Sequence, residues 1–295
     1  MRSRAGLLAA AAVGLLFALP TNWARATDMP VDLVLALAID VSGSIDPDEA
    51  RLQREGYVDA FRNPRVIQAI KSGPFGRIAV AYYEWAGFGH HRIIVPWTLV
   101  DSETAALALA DALTRNPPKT ARRTAVGDAI VFGTGFFDNN GYQGRRKVID
   151  ISGDGANNWG TPVTEARAMA LERGVTINGL PIMTDNPSGY VPAEPNLDLY
   201  YQHCVIGGPG AFIEVAHNFD DFGRAVLRKL VLEIADIRLD RPDAADARMA
   251  RLLRGVPAHR FSANGAPGVV RVADDKRVPP PCDYGERMWN GRWGN

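Results

Sequence analysis

Val31-Asp32-Leu33-Val34-Leu35-Ala36-Leu37-Ala38-Ile39, followed at once by Asp40-Val41-Ser42-Gly43-Ser44, is the stretch that decides the fold class. A half-buried strand alternates apolar and polar residues. This one is apolar almost throughout, the pattern of a strand covered on both faces at the centre of a parallel sheet. Asp46-Pro47 then supplies an N-cap with proline at the first helical position, and Glu49 completes a capping box. The helix so begun is expected to reach about Arg62 and to end at Asn63-Pro64.

The same alternation continues outward. Arg77–Trp85 reads as a strand, and Arg92–Trp97 as an edge strand because it contains Pro96. Ser102–Thr114 reads as a helix, and another begins near Thr124 and runs through Phe137. Lys147–Ile151 is a strand, Thr161-Pro162 opens a helix to about Arg173, and Val175–Ile182 is a further strand. Ala211–Ala216 is expected to be the last strand, and Asp220 to about Asp236 an amphipathic helix carrying Phe222, Val226, Leu230 and Ile234 on one face. Strands alternating with helices imply βαβ units. The expected class is α/β, a doubly wound, mainly parallel sheet flanked by helices with one antiparallel edge strand.

Composition removes several alternatives. The 295 residues carry 33 Lys+Arg against 33 Asp+Glu and are 46 % hydrophobic, which excludes a disordered chain. A net charge of zero gives no basic face for nucleic acid. Two cysteines are too few for a disulfide-dense miniprotein or a four-thiolate zinc site.

Arg2 and Arg4 precede an apolar run from Ala5 to Leu19, and Ala24-Arg25-Ala26 forms a small-x-small cleavage pattern. The run is shorter than the ~20 residues that span a bilayer. Residues 1–26 are therefore expected to be a signal peptide, with an exported, periplasmic or secreted chain and no integral membrane span after cleavage. In an oxidising compartment Cys204 and Cys282 are expected to form a disulfide, two free thiols being the alternative. The chain-entropy value of such a bridge is roughly 4–5 kcal/mol at most. Residues 27–238 read as one domain, and 239–295 as a tail packed on it or tethered to it.

Ligands of open α/β sheets bind outside the carboxyl ends of the strands. Asp40, Ser42 and Ser44 follow one such end, Asp154 of Ser152-Gly153-Asp154-Gly155 follows another, and Thr124 opens a helix between them. Two carboxylates and three hydroxyls, without histidine or thiolate, suit a hard divalent cation, Mg²⁺ first, with Mn²⁺ or Ca²⁺ as alternatives. Two aspartates balance the ion. If one stands behind a water, the ion stays electrophilic and accepts a carboxylate from outside.

Asp40-x-Ser42-x-Ser44, Thr124 in Thr-Ala-Val-Gly-Asp-Ala, and Asp154 in Ser-Gly-Asp-Gly resemble the metal-ion-dependent adhesion site (MIDAS) of von Willebrand factor type A (vWA) domains. The likeness covers about Val31 to Asp236. Glu84-Trp85-Ala86-Gly87, Gly155-Ala156-Asn157-Asn158 and Val205-Ile206-Gly207-Gly208-Pro209-Gly210 are similar to an exported bacterial branch of that family. Many relatives carry Thr or Ser directly before the last Asp, where this chain has Gly153. The resemblance implies a vWA-like, Rossmann-type fold. It also implies that Ser42, Ser44 and Thr124 touch a metal or its waters, with Asp40 and Asp154 anchoring it. Glu84, Trp85, Asn157 and Asn158 are candidates for the binding rim.

The function this implies is capture of an Asp or Glu of a protein partner through a Mg²⁺-type ion. The alternatives are a metal-assisted phosphohydrolase with Asp40 as nucleophile, and a structural subunit of an envelope complex with a vestigial metal site. No convincing catalytic constellation is present. Ser42 stands where a dehalogenase-like phosphatase needs a second Asp, and no Gly-x-Ser-x-Gly elbow occurs. His90-His91 lacks a third ligand, and Gly207–Gly210 lacks the lysine of a phosphate loop.

Overall fold

The computed structural model describes residues 28–183, 196–235 and 277–293. The expected signal peptide, residues 1–26, and the greater part of the expected tail lie outside the described residues.

The elements are, in order, β1 (Met29–Val31), β2 (Val34–Asp40), α1 (Pro47–Arg62), α2 (Pro64–Lys71), β3 (Ile78–Trp85), β4 (His91–Val100), α3 (Glu103–Thr114) and α4 (Val126–Phe136). Then follow β5 (Tyr142–Gly144), β6 (Lys147–Gly153), α5 (Val163–Glu172), β7 (Val175–Pro181), α6 (Leu197–Tyr200) with a π turn at Tyr201–Val205, α7 (Phe219–Ile234) and α8 (Tyr284–Trp293). The main sheet has the order β4-β3-β2-β6-β7. β2 pairs in parallel with β3 and β6, β6 with β7, and only β4 is antiparallel, at the edge. This is the doubly wound α/β arrangement expected, with β2 at its centre.

Helices cover both faces because β2 is apolar on both. Leu35, Leu37 and Ile39 join a core with Tyr57 and Phe61 of α1, Leu109 of α3 and Phe222 of α7. Val34, Ala36 and Ala38 face the other way, onto Ala129 and Ile130 of α4, Ala166 of α5 and Tyr200 of α6. The capping box at Asp46 forms, with Asp46 accepting from the Asp48 and Glu49 amides and Glu49 accepting from the Asp46 amide.

Four details differ from the sequence expectation. The stretch Val31–Ile39 is interrupted at Asp32, whose carboxylate turns to accept the Phe75 amide at 3.1 Å, so β1 pairs separately with β5. Asn63-Pro64 does not end the helical region, because Asn63 caps α2 with Pro64 at its first turn. Ala211–Ala216 is not a strand but runs beside β7 with bridges only at Ile213 and Ala216. Finally, the expected tail carries a helix of its own, α8, shortly after Pro281.

One face holds a buried charged group. Lys229 of α7, fully buried, lies 2.6 Å from Asp150 of β6 and 3.3 Å from Glu233, while Arg228 lies 3.3 Å from Glu214. Burial pushes Asp150 up to about 7; Lys229 opposes this and Glu233 adds to it. Burial lifts Glu214 to about 7 as well, against Arg228, Lys229 and Arg224. A raised carboxylate keeps its proton in the folded chain where the unfolded chain, with values near 4, has lost it. Folding therefore takes up protons between about pH 4 and 7, and this contribution to stability falls as pH rises through that window. Urea unfolding of chelator-treated protein should show a lower midpoint at pH 7.5 than at pH 5. A midpoint that climbs over the same interval overturns these two assignments.

Candidate functional site

The carboxyl ends of β2 and β6 and the entry to α4 meet at one end of the sheet. Asp40 closes β2 and its Oδ1 accepts the Ser42 amide at 2.7 Å, the short side chain turning the backbone out of the strand. The Ser42 and Ser44 hydroxyls lie 3.1 Å apart, and the Ser44 hydroxyl donates to Asp154 Oδ1 at 2.7 Å. Thr124 precedes α4. Its Oγ1 faces Gly155, lying 3.8 Å from where a Cβ of that residue would stand. The Ala121 amide donates to the Val41 carbonyl at 2.9 Å and fastens the Thr124 loop to the Asp40–Ser44 turn. The structure thus brings Asp40, Ser42, Ser44, Thr124 and Asp154 to one place.

The electrostatics of this cluster are unbalanced. Asp40 is fully buried, and its Oδ2 has no hydrogen-bond partner. Burial raises it well above the usual carboxylate range, and the negative charge of Asp154 raises it further, against the Ser42 amide. Asp154 is pushed up to about 6, first by burial, with Glu49 adding and the Ser44 hydroxyl opposing. An unpaired buried carboxylate oxygen is costly. A divalent cation would supply the missing opposite charge, and the chemistry of these five oxygen donors fits one. Among the described residues no group of three or more His, Cys, Asp and Glu that could hold a metal assembles, and this cluster itself has two carboxylates with hydroxyls around them. His91 instead stacks on Phe132, their rings 4.5 Å apart.

Three of the four rim candidates are not at a rim. Glu84 is fully buried and holds Arg54 of α1 and Arg92 of β4, the latter at 3.0 Å. Trp85 is fully buried in the core around Tyr83 and Val126. Both belong to a central strand whose two faces are covered. Asn157, also fully buried, is a clamp: its Oδ1 accepts the Gly127 amide at 3.0 Å and its Nδ2 donates to the Thr161 carbonyl at 3.2 Å. Asn158 does stand beside the site, half-buried, accepting the Thr124 amide at 3.0 Å and donating its own amide to the Thr124 carbonyl at 2.8 Å.

Sequence reasoning missed Tyr201, Arg123 and Trp289. A Cβ on Gly153 would sit 2.7 Å from the Tyr201 hydroxyl and 2.8 Å from Asp40 Oδ2, so only glycine fits before Asp154. The Tyr201 side chain takes the room a larger residue there would need. Arg123 has φ +72°, in the left-handed region that favours glycine, and its guanidinium lies over the Trp159 ring at 4.5 Å and the Trp289 ring at 3.4 Å. No local pattern links Tyr201 or Trp289 to the metal-site motif; the fold alone does so.

Cys204 and Cys282 form a disulfide, their Cα atoms 5.4 Å apart. Among the described residues no helix is long and apolar enough to cross a membrane.

Comparison with solved structures places this geometry among known folds. The chain is similar to proximal thread matrix protein 1 from the mussel byssus, at 13 % identity and TM-score 0.51, over 70 % of this chain and 49 % of that one. A second structure of that protein, described with a zinc-occupied MIDAS motif, has 18 % identity and TM-score 0.49 over 70 % and 47 %. The pilus adhesin SpaC from Lactobacillus rhamnosus GG has 14 % identity and TM-score 0.51, over 70 % of this chain and 30 % of that one. A von Willebrand factor type A protein from Catenulispora acidiphila has 16 % identity and TM-score 0.48, over 69 % and 43 %. The chain thus spans less than half the length of each, and the likeness is one of fold: a vWA-like α/β sheet. A search of curated proteins finds no match. A family model does match, from residue 30 to residue 238, most of the chain and the whole of the sheet, and the chain belongs to that family, described as "Protein of unknown function (DUF1194)".

Proposed function

We propose that this chain is an exported protein-binding module that captures an Asp or Glu of a protein partner through a divalent cation of the Mg²⁺ type. The observation that carries the reading is Asp40 Oδ2, buried without a hydrogen-bond partner in a cluster that also gathers Asp154 and the hydroxyls of Ser42 and Ser44, with Thr124 at the neighbouring helix entry. Asp40 and Asp154 would anchor the ion, and the three hydroxyls would hold it or its waters. Bound there, the ion supplies an electrophilic position for an external carboxylate. Lys119 and Arg122, both exposed on the loop fastened to the Asp40–Ser44 turn, add positive charge for an acidic partner. Export follows from residues 1–26 read as a signal peptide, with a mature start near Thr27, and agrees with a disulfide, which persists in the periplasm or outside the cell.

A phosphohydrolase has less support. Nucleophilic attack needs Asp40 open to a phosphate, yet it is fully buried with Oδ1 committed to the Ser42 amide.

The test immobilises the protein and passes envelope extract over it in Mg²⁺ and in EDTA. A partner retained in Mg²⁺, released by EDTA and absent on Asp154→Asn is the expected result. Equal retention in EDTA sinks the metal-dependent reading and favours the structural-subunit alternative.

A further inference from the structure

The helix α8 reaches the Thr124 side of the site from outside the main fold. It begins two residues after Cys282, which the disulfide joins to Cys204 at the end of the π turn. The Tyr200 hydroxyl, just before that turn, donates to the Cys282 carbonyl at 3.4 Å and accepts the Asn157 amide at 3.1 Å. From α8, Glu286 Oε1 accepts from Asn157 Nδ2 at 2.7 Å, and Gly285 lies so near the Asn157 carbonyl that a Cβ has no room. One turn later Trp289 stacks on the Arg123 guanidinium. The helix therefore touches Arg123, the residue before Thr124, and also the Asn157-Asn158 turn that hydrogen-bonds both backbone groups of Thr124.

Arg123 keeps a left-handed backbone that a non-glycine residue adopts only where its surroundings hold it. The Trp289 stack is one such hold.

We propose that α8, anchored by Cys204–Cys282, is a positioning clamp for the Thr124 side of the metal site, and that opening the disulfide with a thiol reductant loosens the site. This rests on the metal-site reading above. The redox step is simple. Two electrons and two protons from a dithiol convert the disulfide to two thiols, and the dithiol leaves as its own cyclic disulfide. The Asn157–Glu286 hydrogen bond and the Trp289–Arg123 stack are then left to hold α8 against the chain entropy released.

Two readouts on the full chain test the clamp. The first is amide hydrogen exchange of metal-free protein over residues 121–128 and 154–161, before and after dithiothreitol. The second is a Mn²⁺ titration of the same samples. Reduction should speed exchange in both segments while β2 stays protected, and should weaken Mn²⁺ affinity about tenfold, the effect typical of removing an outer support of a metal site. Reoxidation should restore both. Trp289→Ala with the disulfide intact should reproduce part of the loss, and Trp289→Phe, which keeps an aromatic face, should not. Glu286→Ala should behave like Trp289→Ala, and Glu286→Gln, which keeps an acceptor, like wild type. Unchanged exchange on reduction and on Trp289→Ala overturns the clamp, as does unchanged affinity in a loosened protein. If oxidised wild type binds no Mn²⁺, the metal-site reading itself falls, and exchange alone decides whether α8 positions these loops.

Discussion

Mg²⁺ added to chelator-treated wild-type protein should raise its melting temperature, and Asp154→Ala should abolish the response. At an ion concentration a hundredfold above Kd the gain is about 2.7 kcal/mol. For a domain of this size that corresponds to roughly 5–10 °C. Asp154 supplies one of two charges that balance the ion, and its Oδ1 also holds Ser44 at 2.7 Å. Without the ion, Asp40 and Asp154 repel each other, so Asp154→Ala should melt no lower than chelated wild type by more than the lost Ser44 hydrogen bond, about 1 kcal/mol. Thr124→Ala should cost the fold a similar amount and keep a weakened response, since it removes a neutral donor only. Thermal melts across Mg²⁺ and Mn²⁺ titrations, with EDTA as baseline, read all three proteins. A wild type indifferent to the ions, or an Asp154→Ala that shifts as much as wild type, refutes the site.

The second large effect separates structure from binding. Glu84→Ala should lower stability by about 3–5 kcal/mol, because it leaves Arg54 buried without its carboxylate. Arg54 is 4 % exposed and reaches from α1 to Glu84, to the Leu113 carbonyl at 2.9 Å and to the Tyr82 hydroxyl at 3.3 Å. Glu84 also accepts from Arg92 at 3.0 Å, so one carboxylate ties α1, β3 and β4 together. The metal-dependent gain of the surviving folded protein should equal that of wild type. Urea unfolding with and without Mg²⁺ measures both quantities. A loss below 1 kcal/mol, or a vanished metal response in a stable protein, would return Glu84 to the rim.

Much of the fold is legible in local patterns because each rests on neighbours in the chain. The continuous apolar run of β2 announces a doubly covered strand, and Asp46-x-x-Glu49 marks the start of α1 through hydrogen bonds spanning three residues. Pro96 marks the edge strand, since a central one would lose a ladder hydrogen bond. Where a signal has two local meanings the reading fails. Asn-Pro ends one helix and caps the next with equal ease, so no local signal announces α2. Ala211–Ala216 has strand composition, but Asn178 Oδ1 takes the Phe212 amide and the ladder beside β7 stays broken.

Local patterns place most of the strands and helices, the loops that carry Asp40, Ser42, Ser44, Thr124 and Asp154, and the oxygen-only chemistry of those side chains. Short-range hydrogen bonding and hydrophobic periodicity suffice for that. The assembled fold turns Glu84, Trp85 and Asn157 inward and sets Tyr201 against Gly153. It also decided that a helix more than 120 residues further along the chain rests on Asn157. Burial and long-range contact depend on which surfaces the folded sheet brings together, and no spacing within the chain encodes that.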